Sequence, residues 1–350
     1  MSFKEINETL GRYNLSNKIS KREIKKLAKI DKLSVIQFVD PVTDNSIWKN
    51  IETYLLSERP DIELRVFGHY GKECDLSFLQ YLPSTKNFSA DCLMECNNVE
   101  NIALLENLEI LRLGIFNLTS FEFLNDISPK LKSLFIGQTR SKKPNISVIS
   151  RFKDLEYVYI EGQNKGIEAI SELGNLEKIV LRSISSENIN YLKGLKKLWS
   201  VDIKLGGIKD FSALTEMRGI KYLELWQVRK LSDIGFISKL TDLQYLFLQS
   251  LPNIEKVPDL SANEKLRRIY FENMKGLKNV DSLKYAKCLE EFICVDCSNL
   301  QPEDLIPVLK NKTLKSVLTG FGSDMRNRKF EEYMNEYGKT RYNRTNFEYL

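Results

Sequence analysis

Histidine is nearly missing from this chain: His69 is the single one in 350 residues. That count excludes a multi-histidine metal centre and leaves a nucleophilic hydrolase one place to find an imidazole base. His69 and Cys74 stand in a stretch that reads as a loop after a strand, so a surface histidine is expected there rather than a catalytic dyad. Long apolar runs are also missing. Nothing nears the roughly 18 residues that a membrane span needs. Residues 1–8 have no apolar core behind their charges, so no signal peptide is expected and a cytoplasmic location is. Phosphate loops are lacking too: Gly71-Lys72 has neither the preceding Gly nor the following Ser or Thr, and Gly320-Phe-Gly322 is read as a turn entering a C-terminal helix. Neither sign of charge prevails, since 52 basic against 47 acidic residues leave +5, too dilute over this length for a nucleic-acid partner. No catalytic set, metal site or cofactor is expected.

Six cysteines are present. Cys294 and Cys297 have C-x-x-C spacing, but Cys74, Cys92, Cys96 and Cys288 supply no second pair, so reduced, structural thiols are expected. Seven N-x-S/T triplets are read as products of an Asn-rich composition.

What the chain has is regularity. A version of L-x-x-L-x-L recurs thirteen times between Leu33 and Thr319. Its middle apolar residues are Ile36, Leu64, Phe88, Leu111, Leu134, Val158, Ile179, Val201, Leu223, Leu246, Ile269, Phe292 and Val317, at steps of 21 to 28 residues. In Leu176-Glu-Lys-Ile-Val-Leu181, strand alternation sends Ile179 and Leu181 to one face and Lys178, Val180 and Arg182 to the other. No repeat can hide its inward row alone, so neighbours stack, pair strands in parallel and share a core. The second half of each repeat has period three, as in Ile167, Ile170, Leu173 and Leu176, or Ile189, Leu192, Leu195 and Leu198. That spacing predicts short 3₁₀ segments rather than α-helices on the convex side.

On these residues, and best in the run Ile208–Leu225 (IKDFSALTEMRGIKYLEL), the chain resembles leucine-rich repeat proteins of the short-repeat internalin and SDS22-like kind, over about Leu33 to Phe321. The resemblance implies an α/β class solenoid, a curved horseshoe with a parallel inner sheet, 3₁₀ segments outside and helical end caps. It departs from the family where Asn or Cys is usual after each strand: here stand Phe116, Thr139, Gln163, Ile184, Gly206, Val228, Leu251 and Met274, and only Cys297 conforms.

The expected organisation is an N-terminal helical cap over 1–31, a solenoid of about thirteen repeats over 32–322, and a C-terminal helical cap and tail over 323–350. Ser20-Lys-Arg-Glu23 reads as a capping box opening a helix with Ile24 and Leu27 on its apolar side, and residues 3–10 as another short helix. The basic run from Lys18 to Lys32 reads as the solvated face of that cap. Ile47, Ile51, Tyr54 and Leu55 fit a short helix in the long connection after Pro41. Near the end, Met325, Phe330, Tyr333, Met334 and Tyr337 make one side of a helix stopped by Gly338, and residues 339–350 read as a loosely held tail.

The outward residues of the inner sheet fall in three columns. Across repeats six to eleven these gather Tyr157, Tyr159, Tyr222, Trp226, Tyr245, Phe247 and Tyr270 among Glu161, Arg182, Asp202, Lys204, Glu224, Arg268 and Glu272. Aromatic rings beside charges on a solvent face are the make-up of a protein-binding hot spot, while cross-strand stacking alone also favours aromatics in strands. The expectation is a non-catalytic, cytoplasmic, bacterial protein-binding module, monomeric when unbound, that grips a protein partner on its concave face. An inhibitor or immunity protein that neutralises a toxin fits a preformed surface. An SDS22-like adaptor or regulatory subunit is the alternative.

Overall fold

The computed structural model describes residues 2–7, 9–69, 71–141, 144–344 and 346–350, and in it all thirteen copies of the motif are strands. The chain forms two compact units, Met1–Leu176 and Glu177–Leu350.

The first unit holds β1 (Phe3–Asn7), β2 (Arg12–Leu15), β3 (Val35–Phe38), β4 (Glu63–Phe67), β5 (Cys74–Asp75), β6 (Asn87–Leu93), β7 (Cys96–Asn97), β8 (Ile110–Ile115), β9 (Ser133–Ile136) and β10 (Tyr157–Glu161). Strands β2, β3, β4, β6, β8, β9 and β10 pair in that order, all parallel. The helix expected over 3–10 is instead strand β1, which pairs antiparallel with β2; Glu8 lies outside the described residues. Tyr13 and Leu15 alternate inward at period two, and the hairpin covers the otherwise open edge of β3. Helix α1 (Lys21–Leu27) begins as expected: the Ser20 side chain accepts from the Glu23 amide, and Glu23 accepts from the Ser20 amide, with Ile24 and Leu27 buried. The basic run has partners here, because Lys21 and Lys25 lie 4.7 and 4.4 Å over the Tyr54 ring. Helix α2 (Asn45–Ile51) is capped by Asp44 and continues through one π turn, Glu52–Leu56, so that Ile47, Trp48, Ile51 and Leu55 are buried.

The second unit holds β11 (Lys178–Arg182), β12 (Ser200–Lys204), β13 (Tyr222–Trp226), β14 (Tyr245–Gln249), β15 (Arg268–Glu272), β16 (Glu291–Val295), β17 (Ser316–Gly320) and β18 (Thr340–Arg341), each parallel to the next. The ladder keeps the sequence register: Ile179, Val201, Leu223, Leu246, Ile269, Phe292 and Val317 are consecutive partners, and all are buried. Return segments are short 3₁₀ helices, among them Asn190–Leu192, Ser212–Glu216 and Gly235–Lys239. Their bonding carries the period of three: the Leu192 amide donates to the Ile189 carbonyl, Leu195 to Leu192 and Leu198 to Leu195, at 3.0 to 3.2 Å. Helix α3 (Ile306–Leu309) adds a helical turn to the last return, and α4 (Asp324–Glu336) follows β17. Phe330 is buried on α4, whereas Met325, placed on its apolar side by spacing, is 77% exposed in the first turn.

The missing amide ladder has a main-chain substitute. Immediately after strands β11 to β16, Ser183, Leu205, Gln227, Ser250, Asn273 and Asp296 take left-handed backbone conformations, with φ between 51° and 56°. Each turns its N–H onto the last carbonyl of the next strand, as Leu205 does to Trp226 at 2.9 Å and Gln227 to Gln249 at 2.9 Å. The following residue then needs only to be apolar or small: Ile184, Val228, Leu251, Met274 and Cys297 are buried, and a Cβ at Gly206 would stand 2.4 Å from the Ile184 carbonyl oxygen.

Candidate binding surface

In the second unit the three outward columns are real rows of neighbours. Tyr222, Tyr245 and Arg268 are successive partners at the strand starts; Asp202, Glu224, Phe247 and Tyr270 run along the middle; Arg182, Lys204, Trp226, Gln249 and Glu272 run along the strand ends. The rings are half-buried because they lie on one another. Phe247 and Tyr270 stack at 4.7 Å, and Tyr222 meets Tyr245 edge-on at 5.2 Å. Trp226 takes the Arg182 guanidinium at 5.4 Å and the Lys204 ammonium at 5.8 Å over its ring. Cross-strand packing therefore accounts for part of the aromatic content, while the open sides of Trp226, Phe247 and Tyr270 remain on the solvent face.

Three of the expected contact charges are buried instead: Asp202, Glu224 and Arg268 are 8%, 6% and 5% exposed. Lys204 bridges Asp202 at 2.8 Å and Glu224 at 3.1 Å, and the Tyr222 hydroxyl donates to Glu224 at 2.6 Å. Burial, and then the charge of Glu224, push the Asp202 carboxyl up to about 7. The Tyr222 hydroxyl is raised by burial and by Glu224. Arg268 pairs with Glu291. Sequence period placed these groups on the right face, but only packing decides how far a neighbouring side chain covers them.

In the first unit, Tyr157, Tyr159 and Glu161 alternate outward on β10. Tyr159 stacks on Phe135 at 4.0 Å and its hydroxyl donates to Glu161 at 3.2 Å. His69 is not a surface residue: it is 4% exposed and left-handed, at φ 41°. Cys74 and Cys96 are register partners on the small β5–β7 pair, and the Cys74 thiol is drawn down to about 6, first by hydrogen bonding from Cys96 and then by His69. Cys294 and Cys297 are both buried, as their repeat positions require.

A fourth row escaped sequence reasoning. Trp199, Lys221, Gln244 and Arg267 stand one residue before β12 to β15, linked in register because each amide donates to the preceding row carbonyl at 2.8 to 2.9 Å from Lys221 onward. Residues 346–350 lie against this row rather than loose in solvent. Tyr349 packs 4.9 Å from Trp199 and 6.5 Å from Tyr222, and Phe347 packs 5.2 Å from Tyr245. Arg267 and Arg268 cover the Phe347 ring at 4.7 and 4.9 Å. The Gln244 side chain holds the main chain of Leu350 from both sides, accepting from its N–H at 2.8 Å and donating to its oxygen at 3.1 Å. Lys221 donates to the same oxygen at 2.7 Å, and Arg267 donates to the Glu348 carbonyl. The signal was present in the alternation Phe347-Glu-Tyr349, which is too short to separate from scattered aromatics without a receiving surface.

No known family profile matches this sequence, and no curated protein does. Solved structures do. The internalin inlF of Listeria monocytogenes is 18% identical, with a TM-score of 0.61 over 89% of this chain and 87% of that one. The TLR13–ssRNA13 complex gives 16% identity and a TM-score of 0.54 over 88% of this chain and 50% of the receptor chain. Identity at this level speaks to architecture alone. Thirteen motif strands, in register within each unit, their 3₁₀ returns and the match to the Listeria internalin give this chain the leucine-rich repeat fold.

Proposed function

We propose that this chain is a non-catalytic protein-binding module whose contact surface in the second unit is the solvent face of β12 to β15. The observation that carries the reading is the row of half-buried rings, Trp226, Phe247 and Tyr270, set beside Arg182, Lys204 and Glu272 on strands whose register is fixed by a fully buried inner row. Large rings already held by stacking and by cations lose little side-chain entropy on docking, and charged neighbours give orientation. Such a preformed surface suits stoichiometric neutralisation of an enzyme or toxin, as an inhibitor or immunity protein does. Tyr157, Tyr159 and Glu161 give the first unit a smaller surface of the same kind.

Pull-down from native lysate, repeated with Trp226→Ala and Tyr270→Ala, tests the site. Each substitution is expected to cost about 2 kcal/mol of binding, roughly thirtyfold in affinity. Capture unchanged by both would move the contact off this face. Saturating the captured partner then separates roles: abolished activity fits an inhibitor, retained or redirected activity an adaptor.

A further inference from the structure

The row Trp199, Lys221, Gln244 and Arg267 has the features of a peptide receptor, and it already holds a peptide. Gln244 is 2% exposed, yet both ends of its amide are used by the main chain of Leu350. That cover is given by the segment itself, and the amide meets one main-chain N–H and one main-chain oxygen, the pairing by which a side-chain amide takes a backbone whatever its side chains. Side chains two residues apart in an extended segment fall on the same side, which is how Phe347 and Tyr349 both reach the sheet while Glu348 is exposed. The pockets they meet differ. Phe347 lies against Tyr245 under two guanidinium groups, and Tyr349 lies against Trp199 and Tyr222.

We propose that the starts of β12 to β15, with the row before them, form a docking groove for an extended segment carrying aromatic side chains two residues apart, and that residues 346–350 fill it as an intramolecular competitor. An incoming segment of the same pattern binds by displacing them. Tethering gives residues 346–350 a high local concentration, so the groove is closed to weak segments and opens to one that adds contacts beyond it. The inference rests on the reading above in taking this face as a binding surface, but it uses different side chains: Trp226 stands at the opposite end of β13 from Tyr222.

The test is anisotropy of a labelled peptide with the sequence of residues 342–350, titrated into the full chain and into the full chain carrying F347A and Y349A. The double variant is expected to bind the peptide at least about tenfold more tightly than the parent, because its groove is vacated. Adding W199A or Q244A to the double variant is expected to weaken peptide binding about tenfold or more, with far-UV melting curves establishing that each remains folded. Equal affinity for parent and double variant, no binding to the double variant at about 1 mM protein, or affinity untouched by both W199A and Q244A overturns the proposal. Partner capture that is lost in Trp226→Ala while the peptide experiment fails overturns this inference alone. The converse overturns the earlier reading alone.

Discussion

Asp202 and Glu224 are direct partners on neighbouring strands, with the Lys204 ammonium between them. The Asp202 Oδ1 atom has no hydrogen-bond partner among the described residues, so one ammonium serves two buried carboxylates. A carboxyl raised from 3.8 to about 7 keeps its proton in the folded state after the unfolded chain has released it. The contribution of this one group to stability therefore falls as pH rises from about 4 to about 7 and is level above. Asp202→Asn is expected to remove that fall: urea unfolding of the variant should match the parent near pH 4 and show about 1–2 kcal/mol more stability at pH 8. An unchanged slope in the variant would assign the pH dependence to another group. Legibility at this scale was uneven. The inward residues were readable because full burial demands an apolar side chain, whereas Asp202, Glu224 and Arg268 read as exposed because much of their cover comes from other strands and from the chain's last residues: Asp202 and Glu224 lie on one another, and Arg268 lies between Glu291 and Phe347.

At the scale of elements, the buried carbonyls of the short 3₁₀ returns accept one main-chain bond each, as Ile237 does from Leu240 and Leu240 from Leu243, and single polar side chains from the next repeat donate to their second lone pair. Asn263, fully buried, donates to the Ile237 and Leu240 carbonyls at 2.9 and 2.8 Å, and Asn311 donates to Leu283 and Ala286 at 2.8 Å each. Arg59 does the same for Ile30 and Leu33, at 3.3 and 2.8 Å. Asn263→Ala is expected to cost about 1–3 kcal/mol in chemical denaturation, since it removes two buried hydrogen bonds that tie one repeat to the next, while the Leu240 and Leu243 amides stay on the same carbonyls. A cost below about 0.5 kcal/mol, the range of neutral surface changes, would show that the main-chain bonds alone satisfy those carbonyls. The capping box of α1 and the period-three returns were legible because their signals are local. The hairpin β1–β2 was not, because five residues fit either period until a strand edge is there to receive them.

Across the whole molecule, repeat stacking makes stability a sum of local terms. Leu134 in the first unit and Leu246 in the second are both buried at the inward position of their motifs. Each change to Ala is expected to cost about 2–5 kcal/mol. Combined, the costs should add to within about 0.5 kcal/mol, because the two side chains share no partners. Strong non-additivity in urea titrations would show coupling between distant repeats. No helix among the described residues is long and apolar enough to cross a membrane.

The sequence alone determined the repeat, its strands, their register and the 3₁₀ returns, because an inward row that must be buried at fixed spacing admits one periodic solution. Tertiary structure decided which outward residues stay open, that a left-handed main-chain turn replaces the amide ladder, and that Phe347 and Tyr349 lie on Trp199, Tyr222 and Tyr245. Those outcomes depend on contacts between segments distant along the chain, up to 150 residues for Trp199 and Tyr349, and no local period encodes them.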